Sequence, residues 1–514
     1  VEKGSEMVAV PGAERTPINA SHTWWEPDLY LLADEDLVAR CENLVRRLCP
    51  VEKSPEPILV PDRPWEGLSP DGEVESLQDP FYATILFDPA EEIFRCWYRP
   101  LNRFLSGCFQ PPHANQESKL CYAISRDGIH WEKPALHQVL FQGSGDNNML
   151  RLADESYRGA ANAAESLGTV VPYSESGADF RFAATIHSRY EDPIYPRGIT
   201  VCFSRDGIGW QMHFPPILPL HGDCHTMGRD PRENCFLLTT RCHQHQNLCR
   251  RWGRPWKRPI ALAKSRDLFH WTPPVTVLEA DDEDPDDTQL YMMHIVPYGH
   301  AYLGQLLMFS THEMVLDNQL ALSRDLIDWQ RLGDRRPFLE RGAEGSWDSK
   351  HVSLSKNPPH PEGDQLRFWY GGKSTPHYQA GYGALGTATL RRDGFVCYQA
   401  GEKEGVLTTI PLWVGRTTLA LNVDATRGEA RVEIVDQNGN PIDGCSREDC
   451  YPVRGNHVRA LVQLKAEPDQ YFSRGNLFRL REMVRFRFYL RNARLYAFKA
   501  PGITPLWPEH GSRR

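Results

Sequence analysis

The stretch SRDGIHW, Ser125 to Trp131, returns as SRDGIGW from Ser204, SRDLFHW from Ser265 and SRDLIDW from Ser323, and a weaker fifth copy, LRRDGF, starts at Leu390. The aspartates of the five copies fall at Asp127, Asp206, Asp267, Asp325 and Asp393, with gaps of 79, 61, 58 and 68 residues. A solenoid would keep a stricter period. Uneven gaps of this size suit propeller blades of four strands joined by loops of variable length. Each copy follows a short strand-like run: KLCYAI, ITVCF, PIALAK, NQLAL and GALGTATL. Ser and Asp favour the early positions of a type I turn, and Gly releases the chain into the next strand. The Trp then opens that strand and offers a large ring for burial between blades. The repeat therefore reads as structural.

Upstream of each copy lies a hairpin pattern, an apolar run, a turn and a second run: FYATILFDPAEEIFRCWYRP, GTVVPYSESGADFRFAATIHS, CHTMGRDPRENCFLLTTRC, LYMMHIVPYGHAYLGQLLMF and HVSLSKNPPHPEGDQLRFWYGG. Five hairpins with five following strand–turn units predict an all-β chain whose residues 64–401 form a five-bladed β-propeller. Residues 1–63 read as a lead-in packing on the propeller; DEDLVARCENLVRRL within it fits a strand pair or a short helix. After Gly401, TTLALNVDATRGEARVEIVDQNGNPI and VRFRFYLRNARLYAFKA alternate apolar and polar residues, and Asn438-Gly439 marks a hairpin. Residues 402–514 are thus expected to form a C-terminal β-sandwich.

Composition agrees. The 514 residues include 14 Trp, 40 Pro and 39 Gly, which suits many short strands and tight turns. A net charge of −9 argues against a general nucleic-acid binder. No apolar run is long enough for a membrane span. The visible N-terminus, VEKGSEMVAVPG, lacks the pattern of a signal peptide, which favours the cytoplasm unless a leader has been removed. The 13 Cys are scattered and odd in number, so reduced thiols are expected in preference to a disulfide framework. Oligomeric state is not written in the chain.

In a propeller the innermost strand of each blade lines the central channel, and a site is expected where the starts of those strands converge. Counting back about seven to eleven residues from each hairpin turn, one strand's length, reaches Asp79, Asp223, Asp287 and Asp348; in blade two the nearest acid is Glu165. Crowded carboxylates split their pKa values, so that one stays protonated as an acid while another is ionised. Cleavage of a glycosidic bond needs that pairing. Glu344 and Glu165 are equally placed as proton donor, with Glu313 third. His225, two residues after Asp223, and His351, three after Asp348, could meet sugar hydroxyls, and Trp347 could stack on a sugar ring. Two other motifs carry less. RDP at Arg229–Pro231 aligns with FDP at Phe87–Pro89, a hairpin turn. Cys242, His243, His245 and Cys249 match no zinc spacing, so no metal site is assigned; they belong to a loop whose Arg254 could reach substrate.

The SRDGxxW repeats and inner-strand acids resemble the five-bladed propeller glycoside hydrolases of families 32, 43, 62 and 68. The segments PEPILVPDRPWEG, EGSWDS, GTATLRRDGFVCYQAG and LALNVDATRGEARVEIVDQNGNPIDGCSREDC are similar to bacterial proteins labelled family-32-like, over most of the chain. The resemblance implies hydrolysis or transfer of a furanoside by three acids from separate blades, with Asp79 of LQDPF as the blade-one acid, Asp223 as the blade-three acid and a Glu. It implies a carbohydrate substrate, no required cofactor, and a channel in which relatives of family 43 hold Ca²⁺. The first fructosidase motif is incomplete and its EC motif is absent from the middle blades, which points away from sucrose and fructan. A non-catalytic carbohydrate-binding propeller, and a sugar lyase or epimerase on the same fold, are the alternatives.

Overall fold

The structure, a computed structural model, describes residues 25–68, 83–99, 120–151, 166–174, 179–189, 194–195, 197–222, 224–241, 257–377, 379, 381–465, 472–473 and 477–508. Five antiparallel four-stranded meanders follow one another. Their inner strands are Thr84–Asp88, Ser166–Pro172, Thr226–Asp230, Thr288–Tyr298 and His351–Leu354. Blades one to four take all four strands from consecutive chain. Blade five takes three, the last being Gly383–Arg391, and its outer strand is Glu52–Lys53 from the N-terminal segment, which pairs with Ala388 and Thr389. The N-terminal lead-in therefore completes the last blade.

Neighbouring blades are tied mostly by side-chain bonds to backbone, and blades four and five also share one parallel bridge, Leu316 to His351, within a single sheet. Thr84 Oγ1 accepts from the Val170 amide (3.4 Å), and Thr169 Oγ1 from the Met227 amide (2.9 Å). Thr226 Oγ1 donates to the Met293 carbonyl (2.8 Å), and Asn318 Oδ1 accepts from the Leu354 amide (3.1 Å). Asn357 Oδ1 accepts from the Ile85 amide (3.0 Å), and the Lys356 amide donates to the Ala83 carbonyl (2.9 Å). These contacts run from blade one through to blade five and back to blade one, so the ring is closed. Apolar clusters fill the interfaces. Trp97, Tyr122, Val170, Phe182 and Trp210 pack between blades one and two.

The four full copies of the repeat make one and the same turn. The Ser Oγ accepts the amide three residues on (2.8–2.9 Å), and the Asp Oδ1 accepts the amides two and three residues on (2.8–2.9 Å). The fourth residue has a positive φ in every copy: 72° at Gly128, 81° at Gly207 and 70° at both Leu268 and Leu326. The fifth copy lacks the Ser and does different work. Its Asp393 is buried and accepts hydrogen bonds from Tyr298 Oη of blade four and from Arg459 of the C-terminal sheets.

The C-terminal β-sandwich is built on two long strands, Ala420–Val435 and Leu477–Arg491, around a core that includes Leu421, Val432, Phe486, Phe488 and Phe498. The lead-in is divided between the two bodies. Leu29–Leu31 pairs with Arg494–Lys499, Val38–Glu42 with Gly405–Thr409, and Val45–Leu48 with Val396–Gln399. Glu52–Lys53 goes to blade five. DEDLVARCENLVRRL resolves into a single 3-10 turn, Glu35–Leu37, followed by these strands, which pair with distant partners and not with each other. The ten described cysteines are free thiols. Among the described residues no helix is long and apolar enough to cross a membrane.

Candidate functional site at the starts of the inner strands

Blades three, four and five bring a polar cluster together where their inner strands begin. Cys224 and His225 lead into the blade-three inner strand, and both are buried. Arg241, which ends the second strand of that blade, donates to Cys224 Sγ. Its guanidinium lies 5.2 Å from the ring centre of Tyr291, on the blade-four inner strand, and that of Arg258 lies 5.0 Å from the same ring. Tyr291 Oη is 3.2 Å from His377 Nε2, and the two rings meet edge-on. His377 in turn sits 5.4 Å, ring to ring, from His351, the first residue of the blade-five inner strand. Phe309 closes one side of the cluster against Tyr291 and His377. Imidazoles and a phenol can donate to and accept from hydroxyls, while two guanidiniums favour any carboxylate beside them in its ionised form.

His225 packs against blade two through the space that Gly168 leaves. A Cβ on Gly168 would fall 2.3 Å from His225 Nε2 and 2.3 Å from Thr185 Oγ1. Gly168 is thus the residue that lets this imidazole approach the blade-two strands. Gly168→Ala is expected to displace His225 and to lower stability by about 1–3 kcal/mol, the range for overpacking a filled site; urea unfolding of the variant measures it.

The expected acids are distributed as follows. Asp79, Asp223 and Glu165 lie outside the described residues, as do Arg254, Cys242, His243, His245 and Cys249. Asp287 is half-buried; its Oδ2 accepts from Ser310 Oγ and from the His312 amide (3.1 Å). The Ser310 hydroxyl is the main cause that holds this carboxyl below the usual carboxylate range, against a smaller opposing effect of burial. Asp348 is buried but turns toward the outer part of blade five, with Lys53 Nζ at 2.6 Å, Tyr370 Oη at 3.1 Å and Ser346 Oγ at 3.0 Å. Glu344 is exposed and pairs with Lys350 at 2.8 Å. Asp287, Asp348 and Glu344 thus have separate partners and none in common. Trp347 is half-buried; one side of its ring stacks on Tyr370, with ring centres 5.5 Å apart, beside Gly372 and Gly386. His351 and His225 do sit at strand starts, as their spacing suggests. Asp230, read as a turn residue, accepts from Tyr302 Oη (2.8 Å) and from the Arg232 amide (3.0 Å).

Sequence reading missed Tyr291, His377, Arg241 and Arg258. The available signal was polarity at the end of an apolar run, as in FLLTTR and DTQLYMMH. It also missed Asp317, a carboxyl that burial, the largest cause, pushes up despite Arg341 at 2.9 Å.

Farther along the same inner strand lies His294, 3% exposed, with Gln305 opposite it in register. Burial first, then the charge of Lys356, hold His294 down to about 3, so it is neutral. A hard cation such as Ca²⁺ takes six to eight oxygen ligands. The charge of Lys356 that acts on His294 disfavours a cation beside that imidazole. Among the described residues the one grouping with metal-ligand spacing is Asp230, Glu233 and Cys235, and Asp230 is already engaged by Tyr302 and Arg232.

No protein-family model matches the chain, and no curated protein matches it. Solved structures do. An N-acetylgalactosamine deacetylase from F. plautii, in complex with blood group B trisaccharide, aligns at 16% identity and a TM-score of 0.41, covering 67% of this chain and 95% of that one. A β-1,2-mannobiose phosphorylase from Listeria innocua aligns at 13% identity and a TM-score of 0.42, covering 67% and 97%. A thermostable family-43 glycoside hydrolase aligns at 12% identity and a TM-score of 0.39, covering 60% and 89%.

Proposed function

We propose that this chain cleaves or transfers a terminal sugar, furanosidic in ring form, with carboxylates at the channel end where the inner strands begin. The observation that carries this reading is the cluster Cys224–Arg241–Tyr291–Arg258–His377–His351, drawn from three blades, in which the two arginines are half-buried and the other four residues buried. Asp223 precedes Cys224 in the chain, and Cys224 is the residue that Arg241 holds. An ionised carboxylate suits a nucleophile or base, the role this reading gives Asp223. Asp79, from blade one, is the second carboxylate. The proton donor must be kept neutral by burial. Glu344 is exposed and paired with Lys350, so Glu165 takes that role in this reading. Asp287 stays ionised and steadies its hairpin, and Asp348 keeps blade five closed through Lys53. The tyrosine, histidines and arginines of the cluster bind sugar hydroxyls.

A panel of aryl furanosides and pyranosides, followed by product analysis, tests the reaction. On whichever glycoside is cleaved, Asp223→Asn and Asp79→Asn are each expected to lower kcat/KM by at least about 100-fold, the lower bound for loss of an acid–base group. Circular dichroism should stay unchanged. Full activity in both variants would sink the assignment. A product with new ultraviolet absorbance would replace hydrolysis by elimination.

A further inference from the structure

We propose that Lys373 is a positioning residue of the site: its buried ammonium clamps the 374–382 loop so that His377 stands against Tyr291 and His351, where it takes a sugar hydroxyl. This rests on the sugar-binding role given to His377 under the proposed function. The register brings the lysine to the site. Lys373 ends the blade-five strand Gln365–Lys373, directly opposite His351. Residues directly opposite in an antiparallel pair send their side chains to the same face. His351 faces His377 at 5.4 Å, ring to ring, so the lysine lies on the face that the two imidazoles share. Lys373 is 0% exposed, and an ammonium so buried must find its acceptors within the protein. One of them is the Gln379 carbonyl, 2.6 Å from Nζ and just beyond His377 in the chain.

The rest of the loop shows why this bond matters. The loop joins Gln365–Lys373 to Gly383–Arg391. At its base the Ser374 amide and hydroxyl donate to the Tyr382 carbonyl at 3.0 and 3.3 Å. Farther out, the Gln379 amide donates to the Pro376 carbonyl at 3.1 Å and Thr375 Oγ1 to the Gln379 carbonyl at 3.4 Å. These bonds join neutral groups, and each contributes less than a bond from a charged donor. The His377 amide donates to the Met314 carbonyl of blade four at 2.7 Å. The chain around His377 is thus held on one side by blade four and on the other by Lys373. Without the ammonium, the bond to Met314 remains but the chain after His377 loses its fixed course. The imidazole then no longer keeps its 3.2 Å approach to Tyr291 Oη.

The test compares hydrogen exchange and kinetics of the full chain, Lys373→Met, His377→Ala and the double variant. In Lys373→Met, amide exchange within 374–382 is expected to accelerate about 10- to 100-fold, the range for losing one bond to a charged group, while the flanking strands stay unchanged. On whichever aryl glycoside is cleaved, KM should rise about tenfold with kcat little changed, the pattern of lost binding with intact chemistry. His377→Ala should do the same, and the double variant should be no worse than His377→Ala. Loop exchange as slow in Lys373→Met as in wild type overturns the proposal. So does loosening spread over all of blade five, which makes Lys373 a general buried support. Additive losses of kcat/KM overturn it too, because the lysine then does not act through His377. If no glycoside in the panel is cleaved, the furanoside reading fails, and the exchange result still decides the clamp. If Lys373→Met does not fold, the wild type decides: protection within 374–382 supports the clamp, and exchange as fast as in an unstructured chain overturns it.

Discussion

Trp97→Ala is expected to cost about 3–5 kcal/mol, the range for truncating a fully buried aromatic ring, read as a shift of the urea unfolding midpoint. Trp97 is completely buried on the second strand of blade one. Its ring packs on Tyr122, Phe182 and Trp210 at 5.6–6.2 Å, and its Nε1 donates to the Gly207 carbonyl of blade two at 2.7 Å. That carbonyl would not be orphaned by the substitution, because Trp210 Nε1 also donates to it at 3.1 Å. The loss is therefore a cavity cost between two blades. A second variant makes the argument specific. A Cβ on Gly207 would fall 2.8 Å from the Trp97 ring, so Gly207→Leu alone should be destabilising. The positive φ adds strain of its own, which Leu268 and Leu326 already bear at the same turn position at 70°. In the double variant Trp97→Ala/Gly207→Leu, the leucine has the vacated space to enter, and the combined loss should be smaller than the sum of the two single losses. Strict additivity would show that Gly207 is required for its backbone and not for the tryptophan. The same relation holds between Trp369 of blade five and Gly128 of blade one, where the bond is 2.8 Å and the Cβ contact 2.8 Å.

This pair shows where the sequence was legible. The turn is local: a Ser, an Asp and the amides two and three residues on. It could be read from seven letters, and counting its copies counts the blades. The choice of Gly in two copies and Leu in two others was not legible, because it depends on a tryptophan from another blade. The same division explains the acids. Counting from a hairpin turn places a residue along a strand but does not fix which way its side chain turns. Asp348 lies close to the start of the blade-five inner strand, yet its carboxylate faces Lys53, 295 positions away in sequence. His351 and His225 begin or precede their strands as counted, but His377, which meets His351, comes from a loop with no periodicity to expose it. The lead-in was ambiguous for a related reason. Val38–Glu42 and Val45–Leu48 bury only part of their residues, so neither a helical nor a strand period stands out, and their partners at 405–409 and 396–399 lie more than 300 residues downstream.

Asp34→Asn is expected to remove about 3 kcal/mol, the lower end for breaking a buried ion pair by neutralising one member. Asp34 is 1% exposed and stands where the lead-in meets blade four. Its Oδ2 pairs with His300 Nε2 at 2.9 Å, in the blade-four hairpin, and its Oδ1 with Arg324 at 2.9 Å, the arginine of the fourth repeat. Asp36 keeps a second bond to Arg324 at 2.8 Å, which is why the lower figure applies. The amide oxygen of Asn can still accept one bond but cannot balance the Arg324 guanidinium in a buried site. Burial by itself would raise the Asp34 carboxyl; the His300 bond and the charges of His300 and Arg324 together outweigh it and hold the group below its ordinary value. The sign follows. A carboxyl whose folded value is depressed contributes stability that is fully present above its unfolded value, near pH 4, and that is lost as pH falls through the folded value. The stability gap between wild type and Asp34→Asn should therefore be open at about pH 5 and close progressively below about pH 4. Urea unfolding of both proteins across that range measures it. A gap that stays open at the acid end would mean that the carboxylate charge is not what joins the lead-in to the propeller. Arg324 also lies 4.4 Å from the ring centre of Trp507. One repeat letter thus contacts the lead-in and the C-terminal segment together, and losing the charge of Asp34 should loosen both contacts.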